Sequence, residues 1–159
     1  MHLLDHLDAA ALEFQLPSGS AAMETGGYKG RSRKVSKVDL QRAITDRLGI
    51  PARRILSEYG MCELSSQAYD GKLGQANAAP RTFRFPPWAR ARVLSPETMQ
   101  EVALGQAGLL QVTDLANAGS VLSLLTGDLA KRRDDGFELL GRAEPAEPRG
   151  CSLMNLNHA

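Results

Sequence analysis

The chain has 159 residues, a formal net charge of +1 and an apolar share of 43%. This length fits one domain or a substantial piece of a larger one, and the apolar share is sufficient for a buried core. A charge so close to zero gives no general argument for nucleic acid or an anionic membrane as a partner.

Cysteine content and the N-terminal residues indicate the compartment. Cys62 and Cys151 are too few for a disulfide framework and favour a reducing environment. Residues 1–6 lack the basic start and long apolar run of a signal peptide. No segment approaches the length of a membrane span. We therefore expect a soluble cytoplasmic protein without a membrane span.

The first half of the chain is predicted to be α/β. Apolar residues at helical spacing predict a short amphipathic helix over residues 2–13. Residues 14–16 are compatible with a short strand, and residues 21–25 with the end of a buried strand. The glycine-rich, basic residues 26–34 follow, and a further strand is predicted over residues 54–56.

The clearest local signal in this half is a helix over residues 37–48. Ser36 and Asp39 resemble a capping box in which a shorter acid occupies the usual glutamate position. Gly49 stands where a left-handed C-terminal cap belongs, and Pro51 prevents the helix from continuing.

The second half changes to a pattern of strands and turns. Asp134-Asp135-Gly136 is a strong hairpin signal between the last two predicted strands. The predicted strands are 82–85, 90–94, 108–113, 120–125, 129–133 and 137–140. We therefore predict an α/β portion over residues 1–88, an antiparallel β portion over 89–142, and a hinge with a mobile tail over 143–159.

Several short stretches carry residue types that suit nucleotide chemistry. Tyr59 could stack on a base, Gly60 allows close backbone approach, and the Glu63 carboxylate could reach a hard cation beside phosphates. The carboxylate of Asp128 could accept hydrogen bonds from two vicinal hydroxyls. Arg142, at the end of a predicted strand, could hold a sugar hydroxyl or a phosphate.

Each of these stretches also has an ordinary structural interpretation. The pair Gly26-Gly27 is most often a simple turn, and the basic residues after it are most often a solvated surface. Asp128 could be a turn aspartate, and Arg142 could belong to a surface ion pair. No single stretch is specific evidence for a nucleotide site, but the order and spacing of the stretches are.

In that order the motifs resemble those of the adenylate-forming ligases, and most closely the LuxE-type acyl-protein synthetases. The resemblance covers roughly residues 15–153, and so many motifs in family order make a chance match improbable. It implies a partial adenylate-forming fold, with an α/β first half and a small antiparallel β subdomain. The matching segments are Met23 to Ser32, Glu58 to Leu64, Thr126 to Leu129, Asp135 to Phe137, Leu140 to Arg142 and Arg149 to Leu153.

The resemblance implies that ATP and Mg²⁺ are bound by these motifs. Tyr59 would stack on adenine, Glu63 would help hold the magnesium ion, and Asp128 would bind the ribose hydroxyls. Arg142 would contact the ribose or a phosphate. The implied ATP-binding residues are Gly26 and Gly27, which would line the adenine pocket, with Glu58, Tyr59, Gly60, Asp128 and Arg142.

The implied reaction is the attack of a carboxylic acid, a fatty acid in this family, on the α-phosphorus of ATP. The acyl-adenylate would then transfer its acyl group to a cysteine thiol. Cys151 is the candidate acyl acceptor, because the family has a cysteine near its C-terminus and the neighbouring Arg149 favours the thiolate. The structural alternative is an unreactive thiol in a frayed tail.

Two departures from the family pattern limit these expectations. Cys62 stands where the superfamily usually has a threonine, so a hydrogen-bonding hydroxyl is lost. No phosphate loop rich in serine, threonine and glycine precedes Met23. Because that loop would stabilise the developing phosphate charge, we expect no activity without a missing N-terminal half. That half would be a separate partner chain or the rest of a longer gene, and a homodimer is the other partner arrangement expected.

Two further interpretations compete with the ligase. The chain could be a non-catalytic remnant of the fold that binds a nucleotide or a partner. Residues 29–37 could form a nucleic-acid patch, but the near-neutral charge and the lack of interleaved aromatics beyond Tyr28 disfavour it. We therefore expect no nucleic-acid partner.

Overall fold

The computed structural model describes residues 2–25, 36–75 and 81–143. Two compact units divide the chain, and the boundary lies within one strand. Unit 1 contains residues 1–57 and 72–77, and unit 2 contains residues 58–71 and 78–159.

Unit 1 is the helical unit. It contains helix α1 (His2–Ala9), strand β1 (Ala22–Thr25), helix α2 (Lys37–Leu48), a single 3₁₀ turn (Ala52–Arg54) and the first three residues of strand β2 (Ile55–Tyr59). Strand β2 is the central strand of a three-stranded sheet with the order β1-β2-β3. The core of the unit consists of buried aliphatic side chains from the two helices and the chain between α2 and β2: Leu4, Leu7, Leu40, Ile44, Ile50 and Ile55.

Helix α2 confirms the helix predicted over residues 37–48. The Ser36 hydroxyl accepts a hydrogen bond from the Asp39 amide at 3.1 Å and donates to the Asp39 carboxylate at 2.6 Å. At the other end Gly49 has a φ of 68° and its amide donates to the Thr45 carbonyl. The left-handed φ favours glycine at this cap.

We expect Ser36→Ala to lower the free energy of unfolding by about 1 kcal/mol, because the Asp39 amide would lose its acceptor. Urea unfolding followed by circular dichroism at 222 nm measures the change. Ser36→Asn is the matched control and should have almost no effect, since asparagine caps a helix equally well. Equal losses in both variants would contradict the capping role.

The structure corrects two expectations for the beginning of the chain. Helix α1 ends at Ala9 rather than at residue 13, and Ala11 has a φ of 50°, which no α-helix continues. Residues 14–16 form no strand. The amides of Phe14 and Leu16 instead donate to the carbonyls of Arg47 and Leu48, at 2.8 and 3.2 Å. These residues therefore pair with the end of α2 and not with a sheet.

Unit 2 is built on antiparallel strands. Strand β3 (Ala68–Tyr69) pairs with the end of β2, with Tyr59 opposite Ala68. A second sheet has the strand order β4-β5-β6-β7 and antiparallel neighbours throughout. Its strands are β4 (Ala89–Leu94), β5 (Ala107–Asp114), β6 (Ser123–Arg133) and β7 (Gly136–Arg142). The predicted class, α/β followed by antiparallel β, is confirmed.

Strand β6 differs most from the predicted elements. Residues 120–125 and 129–133 were expected to be separate strands, but residues 123–133 form one strand with register shifts in its pairing to both neighbours. Thr126, Asp128 and Ala130 alternate on its buried face. The polar and glycine residues 126–128 suggested a break because the sequence does not show that their polar groups are satisfied inside.

The hairpin between β6 and β7 is confirmed, with Arg133 opposite Gly136 across a two-residue loop. Phe137 of β7 exchanges two backbone hydrogen bonds with Phe83, at 2.7 and 3.1 Å. Phe83 and Arg84 make only isolated bridges, which corrects the strand predicted over residues 82–85. The core of unit 2 gathers around these rings: Tyr59, Ala68, Phe83, Val93, Val102, Leu110, Val112, Ala130 and Phe137.

Within the residues that the structure describes, no helix has both the length and the apolar character needed to cross a membrane.

Candidate functional site

The predicted site residues divide into two groups. Gly26, Gly27 and Cys151 lie outside the residues that the structure describes. All the others belong to unit 2: Glu58, Tyr59, Gly60, Glu63, Asp128 and Arg142. The geometry of this second group is therefore set by one compact unit.

Three of these residues meet at the Asp128 carboxylate. The Tyr59 hydroxyl donates a hydrogen bond to Asp128 Oδ2 at 2.8 Å. Arg142 Nε lies 3.4 Å from Asp128 Oδ1. Asp128 is only 8% exposed, so its charge is almost fully removed from bulk water and depends on these partners.

The strands explain why these residues converge. Asp128 of β6 and Arg142 of β7 are direct register partners across the hairpin. Thr126 stands two residues before Asp128 on the same buried face, and its hydroxyl donates to the Leu110 carbonyl of β5 at 2.9 Å. The Asp128 amide donates to the same hydroxyl at 3.2 Å. The backbone that carries the carboxylate is therefore attached to the neighbouring strand.

Tyr59 reaches this carboxylate from the core. Tyr59 is 7% exposed, and its ring makes edge contacts with Phe83, Phe85 and Phe137, with centroid distances of 6.2, 6.3 and 5.3 Å. Burial raises the pKa of the Tyr59 phenol above its ordinary value, and the nearby Asp128 charge raises it further. The hydroxyl therefore stays protonated and remains a donor at neutral pH. Stacking of this ring on adenine stays a prediction.

The neighbours of Tyr59 differ in exposure. Glu58 is half-buried, and burial raises the pKa of its carboxyl group. Gly60 is exposed, and a Cβ at this position would contact the Glu58 carboxylate. The roles of Glu58 and Gly60 in ATP binding stay predictions.

Glu63 stands apart from the Asp128 cluster. It is exposed in the loop after β2, and its backbone carbonyl accepts a hydrogen bond from the side-chain amide of Asn117 at 2.7 Å. The same amide donates to the Val121 carbonyl, and Asn117 Oδ1 accepts from the Ser65 hydroxyl at 3.0 Å. Asn117 therefore fixes the backbone of the loop while the Glu63 carboxylate faces solvent.

Asp114 also binds the loop that carries Glu63. It is fully buried at the end of β5 and accepts hydrogen bonds from the amides of Ser65 and Ser66, the Ser66 hydroxyl and the Ala116 amide, all between 2.8 and 3.0 Å. The Trp88 indole donates to the same Ser66 hydroxyl at 3.0 Å. One buried carboxylate thus ties the Glu63 loop to the four-stranded sheet.

The sequence interpretation missed both Asp114 and Asn117. A signal for Asp114 was present, since Gly108, Leu110 and Val112 alternate on the buried face and Asp114 continues that parity. A buried acid at the end of such a strand must find donors, and the amides of the loop supply them. Nothing in the local pattern around Asn117 indicates its contacts with Glu63 and Ser65, which are more than fifty residues away.

The residues present can be tested for the chemistry of a magnesium ion. Among the described residues, no group of three or more potential metal ligands occurs. Mg²⁺ in nucleotide sites is commonly bound by one or two carboxylates together with substrate phosphates rather than by a cage of protein ligands. Glu63, an exposed carboxylate on a fixed loop, fits this limited role.

Known proteins show where the chain belongs. Residues 2–159 match the model of the family described as acyl-protein synthetase, LuxE. A long-chain-fatty-acid–luciferin-component ligase from Aliivibrio fischeri is 24% identical over 143 residues. The match covers 83% of this chain and 36% of that relative, so the chain spans about a third of its length.

Solved structures at low identity show the fold. The long-chain-fatty-acid–CoA ligase FadD1 from Archaeoglobus fulgidus gives a TM-score of 0.61 at 14% identity, covering 89% of this chain and 32% of that one. McyG A-PCP complexed with phenylalanyl-adenylate gives a TM-score of 0.61 at 16% identity, covering 90% and 29%. The chain therefore belongs to the LuxE acyl-protein synthetase family and has the fold of one part of an adenylate-forming enzyme.

Proposed function

We propose that the chain is the C-terminal part of an ATP-dependent ligase that activates a fatty acid as an acyl-adenylate and passes the acyl group to a cysteine thiol. The observation that carries this proposal is the buried Asp128 carboxylate, held by Tyr59 and Arg142 at the position where the family motif places the ribose contact. Membership in the LuxE family and the relative's name, a long-chain fatty-acid ligase, support the substrate class.

In this proposal Asp128 recognises the ribose of ATP. Each of its carboxylate oxygens has two acceptor positions. Tyr59 occupies one position on Oδ2, and Arg142 lies beside Oδ1, so acceptor capacity remains on both oxygens for two vicinal hydroxyls. Arg142 would also contact the ribose or a phosphate, because its guanidinium has further donors.

In the first chemical step an oxygen of the fatty-acid carboxylate bonds to the α-phosphorus of ATP. The bond between that phosphorus and the bridging oxygen breaks, and pyrophosphate leaves. A thiolate then attacks the acyl carbonyl and AMP leaves, which forms a thioester. We assign the thiol to Cys151, on the evidence of the family resemblance alone.

The remaining roles follow the same resemblance. Bound Mg²⁺ would neutralise phosphate charge, and Glu63 would help hold it from a loop that Asn117 and Asp114 keep in place. Gly26, Gly27, Glu58 and Gly60 would complete the nucleotide side of the site.

The proposal requires a second part of the enzyme. Because the chain spans 36% of the fatty-acid ligase that it matches, we propose that the phosphate loop and the acid pocket come from an N-terminal half. That half would be a partner chain or part of a longer protein, and a homodimer is the other arrangement. We place the assembled ligase in the cytoplasm, with no membrane span and no nucleic-acid partner.

ATP–pyrophosphate exchange with a panel of carboxylic acids tests this function. We expect no exchange by the isolated chain and exchange once an N-terminal half is added. In the complemented enzyme Glu63→Gln should reduce exchange, whereas Cys151→Ser should leave exchange intact and abolish acyl transfer. Robust exchange by the chain alone would contradict the need for a second half, and loss of exchange in the serine variant would contradict the role of Cys151.

A second candidate function is a non-catalytic nucleotide-binding or partner-binding remnant of the fold. Cys62 favours it, because a thiol replaces the hydroxyl that the superfamily places beside the glutamate, and thiols are weak hydrogen-bond donors. Nucleotide-dependent thermal stabilisation without any exchange, even after complementation, would identify this alternative.

A further inference from the structure

We propose that the Tyr59 hydroxyl is a positioning group that fixes the Asp128 carboxylate. The preference of the site for a ribose over a deoxyribose would then depend on this hydroxyl and not on the aromatic ring. The inference rests on the proposed nucleotide-binding function, because it assigns how Asp128 is prepared for the sugar. The role of the hydroxyl is thereby distinguished from the stacking on adenine that is expected for the ring.

The contacts of the Tyr59 ring support a positioning role. The ring is anchored by three phenylalanine rings, with Phe137 nearest at 5.3 Å, and only 7% of the residue is exposed. A side chain packed in this way has one place for its hydroxyl, and that place is 2.8 Å from Asp128 Oδ2. Core packing therefore sets the direction of the hydrogen bond.

The carboxylate needs such a partner. Asp128 is 8% exposed, and a buried carboxylate with an unfilled acceptor would turn toward the nearest other donor. Arg142 Nε lies 3.4 Å from the other carboxylate oxygen, Oδ1. With Tyr59 on Oδ2 and Arg142 beside Oδ1, rotation of the carboxylate about its Cβ–Cγ bond is opposed from both sides. The remaining acceptor positions then have fixed directions before a nucleotide arrives.

The protonation state of Tyr59 agrees with this role. Burial and the Asp128 charge both raise the pKa of the phenol, so the hydroxyl remains a donor throughout the neutral range. Hydrogen bonds to a charged acceptor are stronger than those between neutral groups. Losing this one should weaken the sugar contact by roughly ten-fold.

Nucleotide binding to the full chain, measured by isothermal titration calorimetry with AMP and with 2′-deoxy-AMP, tests the inference. The measured quantity is the ratio of the two affinities, because any loss of folded protein lowers both affinities equally and cancels in the ratio. We expect wild type to prefer AMP. Tyr59→Phe should lower that preference roughly ten-fold, as Asp128→Asn should.

Two further variants sharpen the test. Tyr69→Phe is the matched control, since it removes a hydroxyl that donates to Gln67 on the exposed surface at 3.1 Å, and it should leave the ratio unchanged. Replacing Tyr59 with p-aminophenylalanine keeps an N–H donor at the same place and should restore most of the preference. A merely structural role of Tyr59 would not produce this rescue.

Three results would overturn the inference. Tyr59→Phe could retain the wild-type ratio while Tyr59→Leu loses affinity for both nucleotides, which would assign the function to the ring and leave the proposed function intact. The double variant Tyr59→Phe/Asp128→Asn could lose the product of the single effects, which would show independent action. Wild type could bind neither nucleotide even with the N-terminal half added, which would remove the proposed function together with the inference.

Discussion

Asp114→Ala should lower the free energy of unfolding of unit 2 by about 3 kcal/mol or more, one of the largest effects expected for a single substitution in this chain. The reason is that the fully buried carboxylate accepts hydrogen bonds from three backbone amides and the Ser66 hydroxyl. Alanine would leave the Ser66 amide and hydroxyl buried without this acceptor and the Ser65 and Ala116 amides part-buried without it, and each buried unpaired donor costs about 1 to 3 kcal/mol.

The chain contains its own probe for this experiment. Trp88 is the only tryptophan, and its indole donates to the Ser66 hydroxyl that Asp114 also binds. Urea unfolding followed by tryptophan fluorescence therefore reports on the affected cluster. Glu97→Ala is the control, because Glu97 is an exposed acid in the same unit, and it should change the free energy by no more than about 0.5 kcal/mol. Similar midpoints for the two variants would show that Asp114 does not hold the loop.

The elements that the sequence predicted correctly have strong local signals. Ser36 and Gly49 define the two ends of helix α2 by hydrogen bonds that each close within five residues. The turn at Asp134-Asp135 likewise sets the β6–β7 register through neighbours in the chain. Such features require no knowledge of distant residues, and this is why pattern alone predicts them.

The incorrect elements depend on partners far away in the sequence. Residues 14–16 are compatible with a short strand in the sequence, but the amides of Phe14 and Leu16 donate to the end of α2, more than thirty residues away. The sequence predicts a break at residues 126–128, where Asp128 follows a glycine and could be a turn aspartate. In the fold, Leu110 and Tyr59 satisfy the side chains of Thr126 and Asp128 inside unit 2. Polarity does not reveal whether a distant partner exists.

The candidate site likewise combines residues that local motifs identify with contacts that depend on distant partners. The family motifs name Tyr59, Asp128 and Arg142, but nothing in them indicates that the three meet at one carboxylate. Strand β2 was expected to end at residue 56 and instead continues to Tyr59, so the ring falls on the buried parity of that strand. The direct contact between Tyr59 and Asp128 follows from this extension and from the continuity of β6. Both are properties of the sheets rather than of the motifs.

The second large effect is expected at Phe137, on which the packing of Tyr59 depends. Phe137 is fully buried, and its ring stacks on Phe83 and Phe85 with centroid distances of 5.5 and 6.1 Å. Truncating a buried phenylalanine to alanine removes its apolar contacts and leaves a cavity, which costs about 3 to 5 kcal/mol. We expect Phe137→Ala to lower the free energy of unfolding of unit 2 by this amount in the same urea experiment.

A smaller apolar side chain at this position separates the buried apolar volume from the stacking of the ring. Phe137→Leu should cost less than about 1.5 kcal/mol, because it keeps most of the buried apolar volume while the backbone pairing with Phe83 is unchanged. Leu104→Ala is the control, since Leu104 is 60% exposed, and it should change the free energy by no more than about 0.5 kcal/mol. If the alanine and leucine variants at 137 were equally unstable, the ring stack, which both variants lose, rather than the buried apolar volume would be the main source of stability. If Phe137→Ala were as stable as Leu104→Ala, the core around Tyr59 would be assigned wrongly, and the fixed direction of its hydroxyl toward Asp128 would lose its physical basis.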